Sequence, residues 1–248
     1  MNTHRAIDLA SETLVSGANS DAAYTEYQVR NKTINHWPYP HTLINPIFTD
    51  AYYSEMLDAF PGDDAFKPLN EFHADRGAVF LTPDRDGEKS DLDHLDEYQR
   101  AFWQQFLDFF GSDRFREALL MLLGGPELVT SHYAITRSLI HLSLDRKGYQ
   151  IHPHTDVARK IVTVLFYLPD IDDRVVRRYG TSVLAERPGQ EHLGPHEWER
   201  YDTVFTAPFV ANSMFAFRVG DRSWHGVEPV QDPIRRRSIQ YFVVLNED

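Results

Sequence analysis

The chain contains no cysteine, so thiolate metal sites, disulfides and cysteine nucleophiles are all excluded. Any metal site must be built from imidazole and carboxylate. Twelve histidines are available, and the pattern His-x-Asp occurs at His73-Ala74-Asp75, His94-Leu95-Asp96 and His154-Thr155-Asp156. The spacing has a physical meaning. Residues i and i+2 of a β-strand point to the same face, so a strand-borne His-x-Asp offers an imidazole and a carboxylate to one ion. With a second, distant histidine, the set covers one face of an octahedral Fe(II) and leaves three positions open. Composition alone predicts about two such tripeptides with 12 His and 37 carboxylates, so the surrounding elements must choose among the three.

His94 lies at the start of a helical pattern, where residues two apart diverge, which makes it a poor partner for Asp96. His73 is followed by a possible short strand, Ala78 to Leu81, but it precedes the β-rich half of the chain. His154 follows a predicted strand and a turn at Gly148, and it leads into Lys160 to Leu168, the most strand-like run of all. His154 and Asp156 are therefore the preferred pair. The third ligand falls to His225, the one histidine after His196, which lies between two late strand patterns. Beyond it stand Arg235, Arg236 and Arg237. A buried arginine there could hold a dicarboxylate through a bidentate fork that lysine cannot match.

The elements that must position these residues divide into two textures. Before residue 131 the pattern is helical. Thr49 and Asp50 can cap a helix over Ala51 to Phe60, and Pro61-Gly62 stops it. Asp91 opens a longer helix with apolar positions Leu95, Tyr98, Phe102, Phe106 and Phe109, ended by Gly111. Phe115, Leu119 and Leu122 mark a shorter one closed by Gly124-Gly125. After Ser131, short runs rich in Val, Ile, Phe, Tyr and Thr cover Ile135 to Leu144, Lys160 to Leu168, Thr181 to Ala185, Ser213 to Val219 and Ser238 to Leu245. Asp84 to Asp96 reads as a solvated loop running into a helix. The expectation is one α+β domain over 1–248 with a mainly β core, in which 1–130 supply helical support and 131–248 form an antiparallel barrel or sandwich.

Composition narrows the partners. The 248 residues carry 25 Lys plus Arg against 37 Asp plus Glu, a net charge of −12, which repels phosphate backbones and anionic lipid. Met1 to Leu9 is too polar and too short for a signal sequence, and no apolar run approaches the ~20 residues of a membrane span. A cytoplasmic protein with neither nucleic acid nor membrane as partner is expected, and a small-molecule substrate such as an amino acid or a biosynthetic intermediate is expected because no separate peptide-recognition module is visible.

At these residues the sequence resembles the Fe(II)/2-oxoglutarate-dependent oxygenase superfamily, in its prolyl-hydroxylase-like branch. The likeness rests on His154-Thr155-Asp156, the strand Thr163-Val164-Leu165-Phe166-Tyr167-Leu168, Gly180-Thr181-Ser182, His225 and Arg236-Arg237-Ser238, and it covers roughly 131–245. It implies a double-stranded β-helix (jelly-roll or cupin-like) barrel buttressed by N-terminal helices. It also implies Fe(II) held by His154, Asp156 and His225, with 2-oxoglutarate and O2 as co-substrates. Arg236 would grip the distal carboxylate of 2-oxoglutarate, with Tyr167 and Ser238 in the same subsite and Arg237 as the reserve. Arg236, Ser238 and Gln240 would share the inward face of their strand. The pattern departs at Tyr179-Gly180, where the family has Gly-Gly. Asp156, present where halogenases carry a small residue, favours hydroxylation or a related oxidation of an unactivated C–H bond.

Several readings stay open at this stage. Tyr167 reads equally as a core aromatic. His152 reads as a rim residue, and Trp224 and Arg222 as scaffold or surface. Pro169 to Phe205 would cover the substrate, and its Arg174, Arg177, Arg178, Arg187 and Arg200 either bind an acidic substrate or balance surface carboxylates. A peptidyl or prolyl side-chain hydroxylase, a cupin-like metal enzyme without 2-oxoglutarate, and a non-catalytic binding module are the alternatives.

Overall fold

The computed structural model describes residues 20–69, 75–83, 89–169 and 177–246. His73, Arg174 and part of the Asp84 to Asp96 stretch lie outside them. Two antiparallel sheets carry the architecture. The larger has seven strands in the order β1 (His41–Ile44), β9 (Ser213–Arg218), β6 (Lys160–Tyr167), β11 (Arg236–Leu245), β4 (Thr136–Asp145), β3 (Arg76–Phe80) and β2 (Lys67–Pro68). The smaller runs β5 (Ile151–His154), β10 (His225–Val227), β7 (Thr181–Glu186) and β8 (Tyr201–Ala207). Residues before 131 thus contribute strands as well as helices: β1 forms one edge of the large sheet, and β3 with β2 forms the other.

The helices match their sequence signals except where a cap is diverted. After α1 (residues 20–30), Thr49 caps α2 (Asp50–Asp58) by accepting from the Tyr52 amide. The next helix, α3 (Glu97–Phe110), begins six residues later than Asp91, because the Asp91 carboxylate accepts instead from the Phe80 amide at 2.9 Å and from Lys67 at 3.3 Å. Asp91 to His94 form only a 3-10 turn, and Asp96 supplies the cap through the Gln99 amide. Gly124-Gly125 kinks rather than ends α4 (Asp113–His132). Gly125 takes φ 67°, a left-handed conformation suited to glycine, and Pro126 starts the second segment.

The large sheet has two faces of opposite character. One packs under the helices: Ile140, Leu142, Val164, Phe166, Ile239, Tyr241 and Val243 share a core with Phe48, Met56, Trp103, Phe106, Phe110 and Phe115. The other face meets the small sheet, and strand register arranges it in rows. Arg76, Asp145 and Arg236 form one row; Phe80, His141, Gln240 and Leu165 form another; Leu139, Phe242, Thr163 and Phe217 a third. A second apolar cluster, including Leu165, Tyr167, Val183, Phe209, Phe215 and Val227, joins the two sheets.

Two segments differ from the sequence expectation. Pro169 to Phe205, read as a cover, contributes β7 and most of β8. The Tyr179-Gly180 departure is absorbed by close packing: the Tyr179 hydroxyl donates to Asp232 at 2.7 Å, and Gly180 lies against the Ala207 carbonyl. A Cβ on Gly180 would stand 1.5 Å from that backbone oxygen, where no flexible side chain can yield. Gly180→Ala is expected to destabilise the fold by about 1–3 kcal/mol. Urea denaturation checks this, and an unchanged midpoint would contradict it.

Candidate metal centre

β5 and β10 run antiparallel with His154 directly opposite His225, which brings the two ring centroids to 4.2 Å. Each ring is turned by a carbonyl two residues upstream. His154 Nδ1 lies 2.9 Å from the His152 oxygen, and His225 Nδ1 lies 2.8 Å from the Ser223 oxygen. A proton on Nδ1 satisfies the carbonyl and leaves Nε2 with a free lone pair, the form a metal requires. Burial lowers the pKa of both imidazoles, that of His154 to about 4, and favours the neutral ligand.

Asp156 follows β5 and completes the group. Lys160 Nζ donates to its Oδ1 at 2.7 Å and Thr163 Oγ1 to its Oδ2 at 2.6 Å. Burial alone would raise the Asp156 carboxyl. The charge and hydrogen bond of Lys160, with the Thr163 hydroxyl, outweigh it and hold the group well below the usual carboxylate range. One ligand atom from each of His154, Asp156 and His225 lies within 4.8 Å of the others, the one such cluster among the described residues. Two neutral imidazoles and an ionised carboxylate on one side of a pocket are a donor set that fits a divalent metal with open positions. His94 is not part of this group and sits beside Asp91.

The three side chains line a cavity of about 390 Å³ between the sheets. Its walls hold Arg76, Phe80, His141, Tyr149, Thr181, Arg236, Gln240 and Phe242 among others. Arg236 is only 1% exposed and lies on the cavity side of β11, as do Ser238 and Gln240. Arg237 faces the other way, its guanidinium 5.3 Å from the Phe60 ring. Tyr167 and Ser238 are buried but set back from the cavity. The Tyr167 hydroxyl donates to Thr181 Oγ1 at 2.9 Å and accepts from the Thr181 amide, so Thr181 is the residue that reaches the wall. Gln240 Nε2 donates to Ser238 Oγ at 3.0 Å.

Other candidates fall away from the centre. His152 is exposed and contributes its carbonyl, and Arg222 is exposed. Trp224 packs at a tilt against Tyr201, with ring centroids 5.0 Å apart. Arg187, Arg200 and Arg178 pair with Asp202, Glu186 and Asp232, as charge-balancing surface residues do. Among the wall residues not singled out in the sequence are Arg76, His141 and Tyr149, and Gln240 was noted only for its inward face. Strand alternation through His141, Ser143 and Asp145 was the available signal, since polar residues at every second position of an apolar strand mark a wet or functional face.

Residues 139–244 match the 2OG-Fe(II) oxygenase superfamily. Two solved prolyl hydroxylases resemble the chain over nearly its whole described length. The Pseudomonas putida prolyl-4-hydroxylase is 14% identical with a TM-score of 0.53, covering 91% of this chain and 99% of that one. The Trichoplax adhaerens prolyl hydroxylase, solved with a peptide of hypoxia inducible factor, is 14% identical with a TM-score of 0.52, covering 94% and 92%. The dioxygenase for auxin oxidation 1 from Arabidopsis thaliana, solved with 2-oxoglutarate, is 12% identical with a TM-score of 0.53, covering 90% and 88%. No curated protein matches the sequence. The segment 139–244 belongs to the 2OG-Fe(II) oxygenase superfamily, and the protein is an oxidoreductase of a kind that uses Fe(II), 2-oxoglutarate and O2. No helix among the described residues is long and apolar enough to cross a membrane.

One wall residue makes the electrostatics measurable. His141 is buried between Phe80 and Phe242, with ring centroids at 5.0 and 5.8 Å, and neither ring nitrogen has a protein partner among the described residues. Burial, aided by the Arg76 and Lys160 charges, pushes its pKa down to about 3 from 6.5. The unfolded chain therefore binds a proton that the folded chain does not, and stability falls as pH drops below about 6.5 towards 3. His141→Phe is expected to flatten the decline of Tm between pH 7 and pH 5 (values chosen within that window). An unchanged slope would contradict the assignment.

Proposed function

We propose that His154, Asp156 and His225 hold Fe(II), that Arg236 grips the distal carboxylate of 2-oxoglutarate, and that the cavity oxidises a C–H bond of a small molecule. The observation that carries this reading is the convergence, in one cavity, of two carbonyl-oriented imidazoles, an ionised carboxylate and a buried guanidinium. The two sheets are then the halves of a double-stranded β-helix, and the helices on the outer face of the large sheet are its support. The acidic, cysteine-free composition suits a cytoplasmic setting.

Bound iron, with 2-oxoglutarate and O2, supplies the oxidising power needed for an unactivated C–H bond. The chain supplies everything else. The His152 and Ser223 carbonyls engage Nδ1 of both imidazoles and so leave Nε2 free for an ion, and Lys160 and Thr163 keep Asp156 ionised and oriented. Arg236 offers a planar, permanently charged fork at one end of the cavity. Tyr167 acts through Thr181, which presents a hydroxyl beside Arg236's end, and Ser238 orients Gln240. Leu139, Leu165, Phe80 and Phe242 supply the apolar part of the wall and help to exclude water there. A volume of about 390 Å³ suits an amino acid or a biosynthetic intermediate of similar size.

Separate replacement of His154, Asp156 or His225 by alanine is expected to weaken Fe(II) binding by more than about 100-fold, the upper end of what losing a mere supporting partner costs, while the circular dichroism spectrum stays native. Arg236→Gln is expected to weaken 2-oxoglutarate by at least about tenfold, and Arg237→Gln hardly at all. Calorimetry under argon and succinate release in air read these effects. A triad variant with wild-type iron affinity, or the reverse order of the two arginines, would contradict the reading.

A further inference from the structure

The first row of the inner face contains three buried charges in register: Arg76 on β3, Asp145 on β4 and Arg236 on β11. Asp145 is fully buried and serves both neighbours. Arg76 donates from Nε to Oδ1 at 2.6 Å and from Nη2 to Oδ2 at 3.0 Å. Arg236 donates from Nη1 to Oδ2 at 2.6 Å and from Nε to the Tyr179 carbonyl at 2.7 Å. Both arginines line the metal cavity. The Tyr149 ring lies 4.5 Å from the Arg76 guanidinium carbon and 5.9 Å from that of Arg236, and its buried hydroxyl has no protein partner among the described residues.

The charge count matters more than the contacts. A carboxylate bonded to Arg236 orients the guanidinium but also cancels its charge. In a low-dielectric cavity a neutral Arg–Asp pair attracts an incoming carboxylate weakly. A second arginine on the same aspartate restores the missing charge while the orientation is kept. The row then carries one net positive charge, which one further carboxylate neutralises. Arg76 stands on a strand outside residues 139–244, so it is supplied by the part of the chain that the superfamily match does not reach.

We propose that Arg76 is a charge-setting and positioning residue for 2-oxoglutarate: with Asp145 it fixes the Arg236 guanidinium, and it leaves the row one positive charge for the distal carboxylate. This rests on the reading of Arg236 as the co-substrate's grip. Its particular claim is that charge on Arg76, rather than shape, sets the affinity.

Calorimetric titration of 2-oxoglutarate into the anaerobic Fe(II)-loaded protein tests it, with 2-oxobutyrate, which lacks the distal carboxylate, as the control ligand. Arg76→Gln is expected to weaken 2-oxoglutarate by about tenfold or more and to leave 2-oxobutyrate within about threefold. Arg76→Lys, which keeps the charge, should remain within about threefold of wild type. The double variant Arg76→Gln/Asp145→Asn should recover most of the loss, because nothing then cancels Arg236. Wild-type 2-oxoglutarate affinity in Arg76→Gln, or a double variant as weak as the single one, would overturn the proposal. Should Arg76→Gln not fold, Asp145→Asn alone decides: both arginines then stand uncancelled, so 2-oxoglutarate is expected to bind at least about threefold more tightly with 2-oxobutyrate unchanged, and an unchanged or weaker 2-oxoglutarate affinity would overturn the proposal. A wild-type protein that binds iron and 2-oxobutyrate but gains nothing from the distal carboxylate would overturn the role of Arg236 itself.

Discussion

A pleated strand has two faces, and in the large sheet they do incompatible work. β11 turns Ile239, Tyr241 and Val243 into the helical core and Arg236, Ser238 and Gln240 towards the cavity. The same alternation runs through β4, where Ile140, Leu142 and Leu144 oppose His141, Ser143 and Asp145. A slip of one residue in either strand would bury arginine and aspartate among Phe48, Phe110 and Phe166 and bring leucines to the cavity. The apolar face under the helices therefore fixes the register, and the register places every charged group of the site. Stability and function are two readings of one constraint.

Across the cavity the small sheet contributes the proposed metal ligands by a different device. The pairing of His154 with His225 is a single cross-strand contact between two short strands. It is held by carbonyl bonds at both rings and by the Phe217 ring, 4.6 Å from His225, which reaches over from the large sheet. Asp156 lies just beyond β5 and is tied back to β6 through Thr163. The proposed metal centre thus joins both sheets, whereas the charged row proposed for the distal carboxylate lies on the large sheet, with Thr181 of the small sheet also lining the cavity. That division suits a site in which a small ion is set by short rigid contacts and a longer co-substrate by charge.

Much of this was legible in the sequence. The five strand patterns after Ser131 lie where the structure has strands, with ends shifted by one or two residues, because alternation of apolar side chains is a local signal. His154, Asp156 and His225, preferred over two other tripeptides for their strand context, are residues whose ligand atoms the structure brings within 4.8 Å of one another. The strands β1, β2, β5, β8 and β10 were not legible, since a run of two to four residues, or one as polar as Tyr201 to Ala207, becomes a strand only through its neighbours. The late start of α3 was hidden for a similar reason. Asp91 looks like a cap in sequence, and only the fold brings the Phe80 amide to it. Arg76 was invisible because nothing local distinguishes an arginine bound for a buried aspartate sixty-nine residues away from one bound for solvent.

The central claim is that these residues present Fe(II) with positions open to a chelating 2-oxo acid. The most direct test is visible absorption during anaerobic addition of 2-oxoglutarate to the Fe(II)-loaded protein. The account predicts a metal-to-ligand charge-transfer band that saturates at one 2-oxoglutarate per chain, and no band with glutarate, which lacks the keto oxygen. Tight iron binding with no band on adding 2-oxoglutarate would contradict it, and would leave a metal centre that serves some other chemistry.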